Sequence, residues 1–289
     1  MSRSIAVIVS IAVVFVCVAG SITGASAGGI EVTFLAGEGF MISCGHSKVL
    51  IDALFDLNDD EGKPPRAHDY LPPDGIARLE GARKPFDKVD AVLVTHAHDD
   101  HFTAGCAARY MRANGWAVLA GTKAVTDQLA EYPWLEGESG ERLVTVDVST
   151  GEIDTLVIDG LTIYALGIRH TGCENVSGPE SPCIDHAAWL VETDGCRIFH
   201  LGDAKLAAEE FEQFPWLPGL EVDIAFVPFW FIQKAGGADL ITRLIAPKTV
   251  VLMHWNSWNR DSVVEELERN RDALPPTVIF GEAFEKMSF

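Results

Sequence analysis

The sequence predicts an α/β fold, a four-layer αββα sandwich in which two mixed β-sheets pack together and helices cover their outer faces. Two observations predict it. Short apolar runs typical of strands dominate the N-terminal part, and strands then alternate with helical patterns. The second half of the chain repeats this order, and two packed sheets with outer helices satisfy both halves.

The predicted elements follow in chain order. In the first half the sequence predicts strands at 31–35, 40–43, 48–51 and 91–95, a helix at 104–112, a strand at 117–120 and a helix at 123–131. In the second half it predicts strands at 143–148, 155–158, 162–168, 187–192, 197–201, 224–228 and 249–253, and helices at 206–214, 238–245 and 261–273. Segments 90–98 and 248–255 look alike, since each is an apolar strand that leads into histidine, and this hints at an internal duplication.

Residues 1–27 have the layout of a secretory signal peptide. Arg3 precedes an apolar run from Ile5 to Gly20 that only Ser10 interrupts, and an Ala-Ser-Ala sequence ends at position 27. The run is short for a membrane span. We therefore predict export to the periplasm or beyond the cell and one mature domain over 28–289, with no stable membrane association after cleavage. An uncleaved anchor is the alternative interpretation.

Charge and cysteine content narrow the function further. The formal net charge is −20, and loss of Arg3 makes the mature chain more negative. This disfavours nucleic acid and anionic lipid as partners and leaves a small-molecule substrate, including a small phosphodiester. Cys173 and Cys183 flank a loop, where they form either a disulfide or two free thiols. The remaining cysteines of the mature chain are interpreted as small core residues: Cys44, Cys106 and Cys196.

A dense group of potential metal ligands follows the apolar strand 91–95. His96 and His98 point the same way if the backbone stays extended, and Asp100 and His101 come directly after them. Burying so many imidazoles and carboxylates is costly without a cation, and this ligand mixture suits zinc. A solvated polar turn is the alternative, but the density of the group and the preceding strand favour a metal site.

The motif H-x-H-x-D-H at His96, His98, Asp100 and His101 resembles the signature of the metallo-β-lactamase-fold hydrolase superfamily. Other landmarks of that family appear in order along the mature chain: Asp52, His170, Asp203 and His254. The pattern is similar to the broad metal-dependent hydrolase group that includes ascorbate-phosphate lactonase-like proteins.

The resemblance implies a role for each of these residues. It implies one metal held by His96, His98 and His170, and a second held by Asp100, His101 and His254. Asp203 would bridge both metals together with a hydroxide, and Asp52 would orient a ligand histidine. The implied cofactor is two Zn²⁺ per chain, with Mn²⁺ or Fe as alternatives. Asp100 and Asp203 are the expected catalytic residues.

Several assignments have rivals. His186 competes with His170 for the third ligand of the first metal, and Asp203 is alternatively the N-cap of helix 206–214. His200 is expected in the core, and His46 and His68 in turns or loops. Aromatic residues after two strands either wall an apolar pocket or pack in the core: Phe229, Trp230, Phe231, Trp255 and Trp258. Segment 56–85 is either a loop over the site or a surface excursion.

The resemblance implies hydrolysis by a zinc-bound hydroxide of a lactone, thioester or phosphodiester bond in a small molecule. A true β-lactamase is disfavoured, because family members that cleave β-lactams usually lack the bridging aspartate. A di-iron redox enzyme is disfavoured because position 98 is His and no flavin domain follows. A non-catalytic exported metal-binding protein is the third class. The sequence contains no G-x-S-x-G elbow of a serine hydrolase.

Overall fold

Side chains of the central strands alternate between two hydrophobic clusters, and this alternation shows how the layers stack. In the computed structural model, which describes residues 5–8, 29–56, 71–132, 142–173, 183–256 and 258–289, strand β5 (Ala91–Val94) is buried on both faces. Ala91 and Leu93 face a cluster shared by both sheets, whereas Val92 and Val94 face a cluster shared with helices. The predicted sandwich of two mixed sheets with outer helices is confirmed.

Within the described residues, the two sheets have related topologies. The first has seven strands, in the spatial order β15 (Lys286–Ser288), β2 (Ile30–Ala36), β3 (Gly39–Cys44), β4 (Ser47–Ile51), β5 (Ala91–Val94), β6 (Val118–Thr122) and β7 (Leu143–Val146). The second has eight, in the order β1 (Ile5–Ile8), β8 (Ile153–Ile158), β9 (Leu161–Leu166), β10 (Ala188–Thr193), β11 (Cys196–His200), β12 (Ile224–Pro228), β13 (Thr249–Met253) and β14 (Thr277–Ile279).

Each sheet starts with antiparallel pairs and ends with three parallel pairs. These parallel pairs are β4–β5, β5–β6 and β6–β7 in the first sheet, and β11–β12, β12–β13 and β13–β14 in the second. When the sheets are aligned by this pattern, β13 is the counterpart of β6. The similarity between segments 90–98 and 248–255 therefore does not join topologically equivalent strands.

Helices cover the outer faces. On the first sheet lie α1 (Pro73–Glu80), α2 (Ala104–Ala113) and α3 (Lys123–Ala130). On the second lie α4 (Ala208–Phe211), α5 (Trp230–Gln233), α6 (Gly237–Leu240) with a π-helical turn (Ile241–Ile245), and α7 (Arg260–Asn270) with a 3₁₀ turn (Arg271–Ala273). A further 3₁₀ turn spans Leu217–Leu220. Helix α1 lies inside segment 56–85, so residues 73–80 of that segment form a packed helix rather than a loop or a surface excursion.

Within the predicted leader, the described residues are 5–8. Ile5–Ile8, within predicted leader 1–27, pairs antiparallel with β8 at the edge of the second sheet. The rest of that leader, residues 57–70 of the predicted loop, and His68 lie outside the described residues. Among the helices that the structure describes, none is both long and apolar enough to cross a membrane.

Two disulfides among the described residues join parts of the fold. Cys173 pairs with Cys183, which settles the choice that the sequence left open. Cys44 on β3 pairs with Cys196 on β11. Both are buried core residues, as the sequence predicts, but the disulfide between them was not predicted. That pairing depends on two strands from different sheets, which spacing along the chain does not reveal. Cys106 is a free, buried core residue, as expected.

Candidate metal centre

Chemistry-bearing residues follow four strands at the point where each strand ends. Asp52 follows β4, His96 comes two residues after β5, Asp203 three residues after β11, and His254 directly follows β13. Strands β4 and β5 are parallel neighbours, so their carboxyl ends share one edge of the sheet. The packing of the two sheets brings this edge and the ends of β11 and β13 together.

The first group of ligand atoms contains three imidazoles and one carboxylate. The ligand atoms of His96, His98, His170 and Asp203 lie within 4.8 Å of one another. His96 Nε2 is 2.9 Å from His98 Nδ1, so both rings point into the same space, as strand alternation predicts. His170 Nδ1 donates to the carbonyl oxygen of Thr171, which leaves Nε2 facing the group.

The second group contains two imidazoles and two carboxylates. It brings together Glu38, Asp100, His101 and His254, again within 4.8 Å. Three of these residues were predicted from the sequence, and Glu38 was missed. Glu38 lies in the turn between β2 and β3, more than 50 residues before the motif at 96–101.

Asp203 lies between the two groups. Its Oδ2 is 3.3 Å from His170 Nε2, whereas its Oδ1 is 3.2 Å from His101 Nε2 and 3.1 Å from His254 Nε2. Each carboxylate oxygen thus faces a different group, which is the geometry that a bridging ligand requires.

Backbone contacts fix Asp203 relative to His170. Thr171 N donates to the Asp203 carbonyl at 2.7 Å, and Lys205 N donates to the Arg169 carbonyl at 2.8 Å. These two bonds join the loops after β9 and β11. The alternative role of Asp203 as a helix N-cap is wrong, because α4 begins at Ala208, five residues later.

Asp52 holds the start of the motif. Its carboxylate accepts hydrogen bonds from Thr95 N at 2.8 Å, Thr95 Oγ1 at 2.7 Å and His101 Nδ1 at 2.8 Å. The bond to Nδ1 leaves His101 Nε2 free to face the second group. A buried carboxylate that fixes the tautomer of a ligand histidine is a common outer partner in metal sites.

The donor set fits divalent cations. Within the described part of the chain, four buried ligand atoms have no hydrogen-bond partner: Glu38 Oε2, His101 Nε2, His170 Nε2 and Asp203 Oδ1. Unpaired buried polar atoms are costly, and cations placed among them would remove that cost. Imidazole and carboxylate together are suitable ligands for zinc and for neighbouring transition metals.

Burial and neighbouring charges shift the pKa values of the histidines in these groups. Burial lowers the pKa of His96 well below its usual value, helped by the neighbouring His101. Burial alone would also lower the pKa of His254, but the carboxylates of Glu38 and Asp203 outweigh it and raise that pKa to about 10. In the metal-free protein, protons therefore take the place of cations beside these carboxylates.

Backbone conformation at the site is unusual. Asp52 and His254 have φ values of 45° and 63°, in the left-handed region that non-glycine residues rarely adopt. Such conformations cost about 1–3 kcal/mol each and persist where the surroundings impose them. Gly202 also has a positive φ of 53°, and a Cβ there would lie 2.7 Å from His186 Nε2. Glycine is therefore required directly before Asp203.

The other described histidines lie outside both ligand groups, as the sequence favours. His186 Nδ1 donates to the Ile168 carbonyl at 2.7 Å, and the ring lies behind His96 and His170 rather than within the first group. His200 is buried beneath the site, and His46 is exposed in the turn between β3 and β4.

The aromatic residues singled out by the sequence lie in different environments. The Trp230 ring is half-buried with its centroid 5.0 Å from that of His254, and Nε1 donates to the Ala204 carbonyl at 3.3 Å. Its partly exposed indole ring therefore lies directly beside the second group. Phe231 and Trp255 are buried in the core, and Trp258 is 77% exposed.

Comparison with known proteins agrees with this geometry. Residues 47–255 match the family model described as the β-lactamase superfamily domain. The chain is 29% identical over 231 residues to a UPF0173 metal-dependent hydrolase of Pyrococcus horikoshii, covering 79% of this chain and 86% of the relative.

Solved structures share the fold. Igni18, a metallo hydrolase of Ignicoccus hospitalis, superposes with a TM-score of 0.58 at 20% identity, covering 90% of this chain and 98% of that one. CmlA, a diiron β-hydroxylase of Streptomyces venezuelae, superposes with a TM-score of 0.53 at 12% identity, covering 92% of this chain and 54% of that one. The fold alone thus carries more than one chemistry. Because the family match spans most of the chain and both ligand groups are in place, the chain belongs to the β-lactamase superfamily and is a metal-dependent hydrolase.

Proposed function

We propose that this protein is an exported hydrolase that uses two divalent cations, with zinc as the expected metal, to cleave an ester-type bond in a small molecule. The bond classes are those of a lactone, a thioester or a phosphodiester. The observation that carries the proposal is the position of Asp203, whose two oxygens face the first and second ligand groups separately.

Divalent cations held by these residues would lower the pKa of a water molecule and would polarise the oxygen of the scissile group. The protein supplies the geometry. His96, His98 and His170 lie on one side of the site, and His101 and His254 lie on the other. Asp203 lies between them. Asp100 is the most accessible of the ligand carboxylates, with 37% of its side chain exposed, and this exposure supports a role for it beside the substrate.

The surroundings favour a small substrate with an apolar part. Trp230 offers a half-buried indole face beside His254, and an apolar group of the substrate would pack there. The net charge of −20 repels large polyanions, so it supports a small molecule over a nucleic acid.

Two disulfides among the described residues support export. Cytosolic thiols are kept reduced, whereas the periplasm and the extracellular space allow disulfides to persist. The pairs Cys44–Cys196 and Cys173–Cys183 therefore agree with the predicted leader 1–27.

The test is a substrate panel assayed with zinc and with manganese. It contains a γ-lactone, an aryl thioester, an aryl phosphodiester and a β-lactam, and each is given to the wild type and to Asp203→Asn. We expect metal-dependent turnover of one ester-type substrate, abolished by the substitution. Turnover of the β-lactam alone would overturn the assigned bond class. Failure of a metal-loaded wild type to hydrolyse any compound would favour a non-catalytic metal-binding protein.

A further inference from the structure

Glu38 occupies a position where a glutamate is normally exposed. It lies between Gly37 and Gly39 in the tight turn that joins β2 to β3, yet only 2% of it is exposed. Charged residues are almost never fully buried unless they are paired or coordinate a metal. The burial of Glu38 therefore needs an explanation that the turn itself does not supply.

The turn is held against the site by its neighbours. His200 Nε2 donates to the Glu38 carbonyl at 3.0 Å, and Gly202 N donates to His200 Nδ1 at 3.2 Å. A Cβ on Gly39 would lie 2.8 Å from the Asp52 carbonyl oxygen, so only glycine permits this close approach of two backbones. The position of Glu38 is thus imposed by the same segments that carry Asp52 and Asp203.

One carboxylate oxygen of Glu38 orients His254. Glu38 Oε1 lies 3.0 Å from His254 Nδ1, which leaves Nε2 facing Asp203. This pair repeats the arrangement of Asp52 and His101, in which a buried carboxylate also lies against Nδ1. Both imidazoles of the second group are therefore fixed by carboxylates behind them.

The other oxygen of Glu38 has no such partner. Oε2 is fully buried, makes no hydrogen bond to any described residue, and lies 3.7 Å from His101 Nε2, the nitrogen that faces the second group. A buried carboxylate oxygen that faces the ligand atoms of a cation site and makes no hydrogen bond is suited to bind that cation directly.

With Glu38 included, the two groups differ in chemical character. The first offers three imidazole nitrogens and one oxygen of Asp203. The second offers two imidazole nitrogens and oxygens from three carboxylates, those of Glu38, Asp100 and Asp203. Imidazole favours zinc, whereas carboxylate oxygen favours harder cations such as Mn²⁺.

We infer that Glu38 is a ligand of the second centre, and that it makes this centre more tolerant of a hard cation such as Mn²⁺ than the histidine-rich first centre. The inference rests on the two-cation site of the proposed function. It adds a residue outside the motif and assigns the two centres different metal preferences. The difference is one of relative preference, since zinc binds more tightly than manganese to most sites of either kind.

The test is metal binding rather than activity. Metal-free full-length protein is loaded with one equivalent of Zn²⁺ and then titrated with Mn²⁺, and free Mn²⁺ is followed by electron paramagnetic resonance. Three variants accompany the wild type. Glu38→Gln keeps an acceptor for His254 Nδ1 but removes the charge, and Glu38→Ala removes both. Glu31→Gln, on strand β2, which leads into the Glu38 turn, removes a charge that pairs with Lys286 at the surface.

We expect the wild type and Glu31→Gln to bind one Mn²⁺, and Glu38→Gln to bind it about tenfold or more weakly, while the first equivalent of zinc stays tight in all four proteins. If Glu38→Gln binds Mn²⁺ like the wild type and only Glu38→Ala is weakened, Glu38 merely orients His254 and the inferred ligand role is wrong. If zinc-loaded wild type takes up no Mn²⁺, the inferred metal preference is wrong. If the wild type binds no cation at all, the proposed function itself fails, whereas absence of turnover in the substrate panel leaves this result untouched.

Discussion

Asp52 Oδ2 lies 2.8 Å from His101 Nδ1, and both side chains are fully buried. Burial alone would raise the pKa of Asp52, but the adjacent His101 and the hydrogen bonds to it and to Thr95 keep that pKa below its usual value. The carboxylate therefore stays charged, and it holds His101 Nε2 toward the second ligand group. Asp52, which lies outside the H-x-H-x-D-H motif, thus orients the imidazole of a candidate ligand within the motif.

Substitution of Asp52 by Asn should weaken metal binding without unfolding the protein. The amide keeps the shape of the side chain, and Asn tolerates a positive φ, but the charge that supports His101 is lost. We expect the affinity of the second centre to fall about 10–100-fold in a metal titration. Asp194→Asn is the matched control, because Asp194 also has a positive φ and lies in an exposed turn. Equal affinities in the two variants would contradict the role of Asp52.

The stability of the metal-free protein should fall as the pH rises from about 6.5 to about 10. The folded-state pKa of His254 is raised from 6.5 to about 10, and that of Glu38 is raised from 4.5 to about 8 by burial. Protons bound more tightly in the folded state stabilise it at low pH, and this stabilisation is lost as the pH passes the folded-state values. Thermal melting in the presence of a chelator, across this range, measures the effect.

His254→Gln provides the control for that experiment, since it removes the titrating imidazole, and its melting temperature should depend less on pH in this range. Zinc-saturated wild type should show the opposite trend near neutral pH, because deprotonated ligands bind cations better. A metal-free wild type whose melting temperature is constant or rises over the range would contradict the assignment.

The number of free thiols tests both the disulfides and the removal of the leader. The sequence has six cysteines, of which four are paired among the described residues and Cys106 is free. Denatured, unreduced protein purified from the exported fraction should titrate one thiol if residues 1–27 have been removed, or two if Cys17 is retained as a free thiol. Mass spectrometry should find Gly28 at the N-terminus, and an intact N-terminus would favour the uncleaved anchor.

Loss of the Cys44–Cys196 bridge should cost stability. The two residues are separated by 152 positions, so the bridge restricts a long loop in the unfolded chain. The chain-entropy model gives about 5 kcal/mol for a loop of this length. Replacing both cysteines with Ser should lower the midpoint of chemical denaturation, measured at equal metal saturation. A midpoint equal to that of the wild type would show that the bridge does not form in the folded protein.

Trp230→Ala should impair the substrate pocket without harming metal binding. We expect kcat/KM to fall about tenfold on whichever ester of the panel is hydrolysed, because loss of an apolar contact of this size costs about 1.5 kcal/mol or more. Trp258→Ala is the matched control, since Trp258 is 77% exposed. An unchanged kcat/KM in Trp230→Ala would place the substrate elsewhere.

Much of the fold follows from the sequence because it depends on local pattern. Strands such as β5 and β12 are continuous apolar runs with both faces buried, and α2 has an apolar stripe at helical spacing. Strands β14 and β15 were missed because each has only three residues, too few to show a period. Helix α1 was missed because it lies within a polar segment and buries only one narrow face.

At the site, the sequence predicted the ligand residues that lie just after strands. It did not predict Glu38, which joins the site only through tertiary contacts. His96 and His98 follow strand β5 with one residue between them, so their shared direction follows from spacing. Glu38 joins the second group only because the turn after β2 is pressed against Asp52 and His200, which lie far away in sequence. A glutamate between two glycines in an otherwise apolar region is the one local signal that pointed to it.

The number of divalent cations bound per chain tests the central claim most directly. Elemental analysis of the purified protein, saturated with zinc and freed of excess metal, should give about two per chain for the wild type. Asp203→Asn should retain the fold by circular dichroism, bind fewer than two, and show no turnover. A wild type that saturates at one cation or none, or an Asp203→Asn variant that keeps both cations and full activity, would contradict a two-cation centre bridged by Asp203.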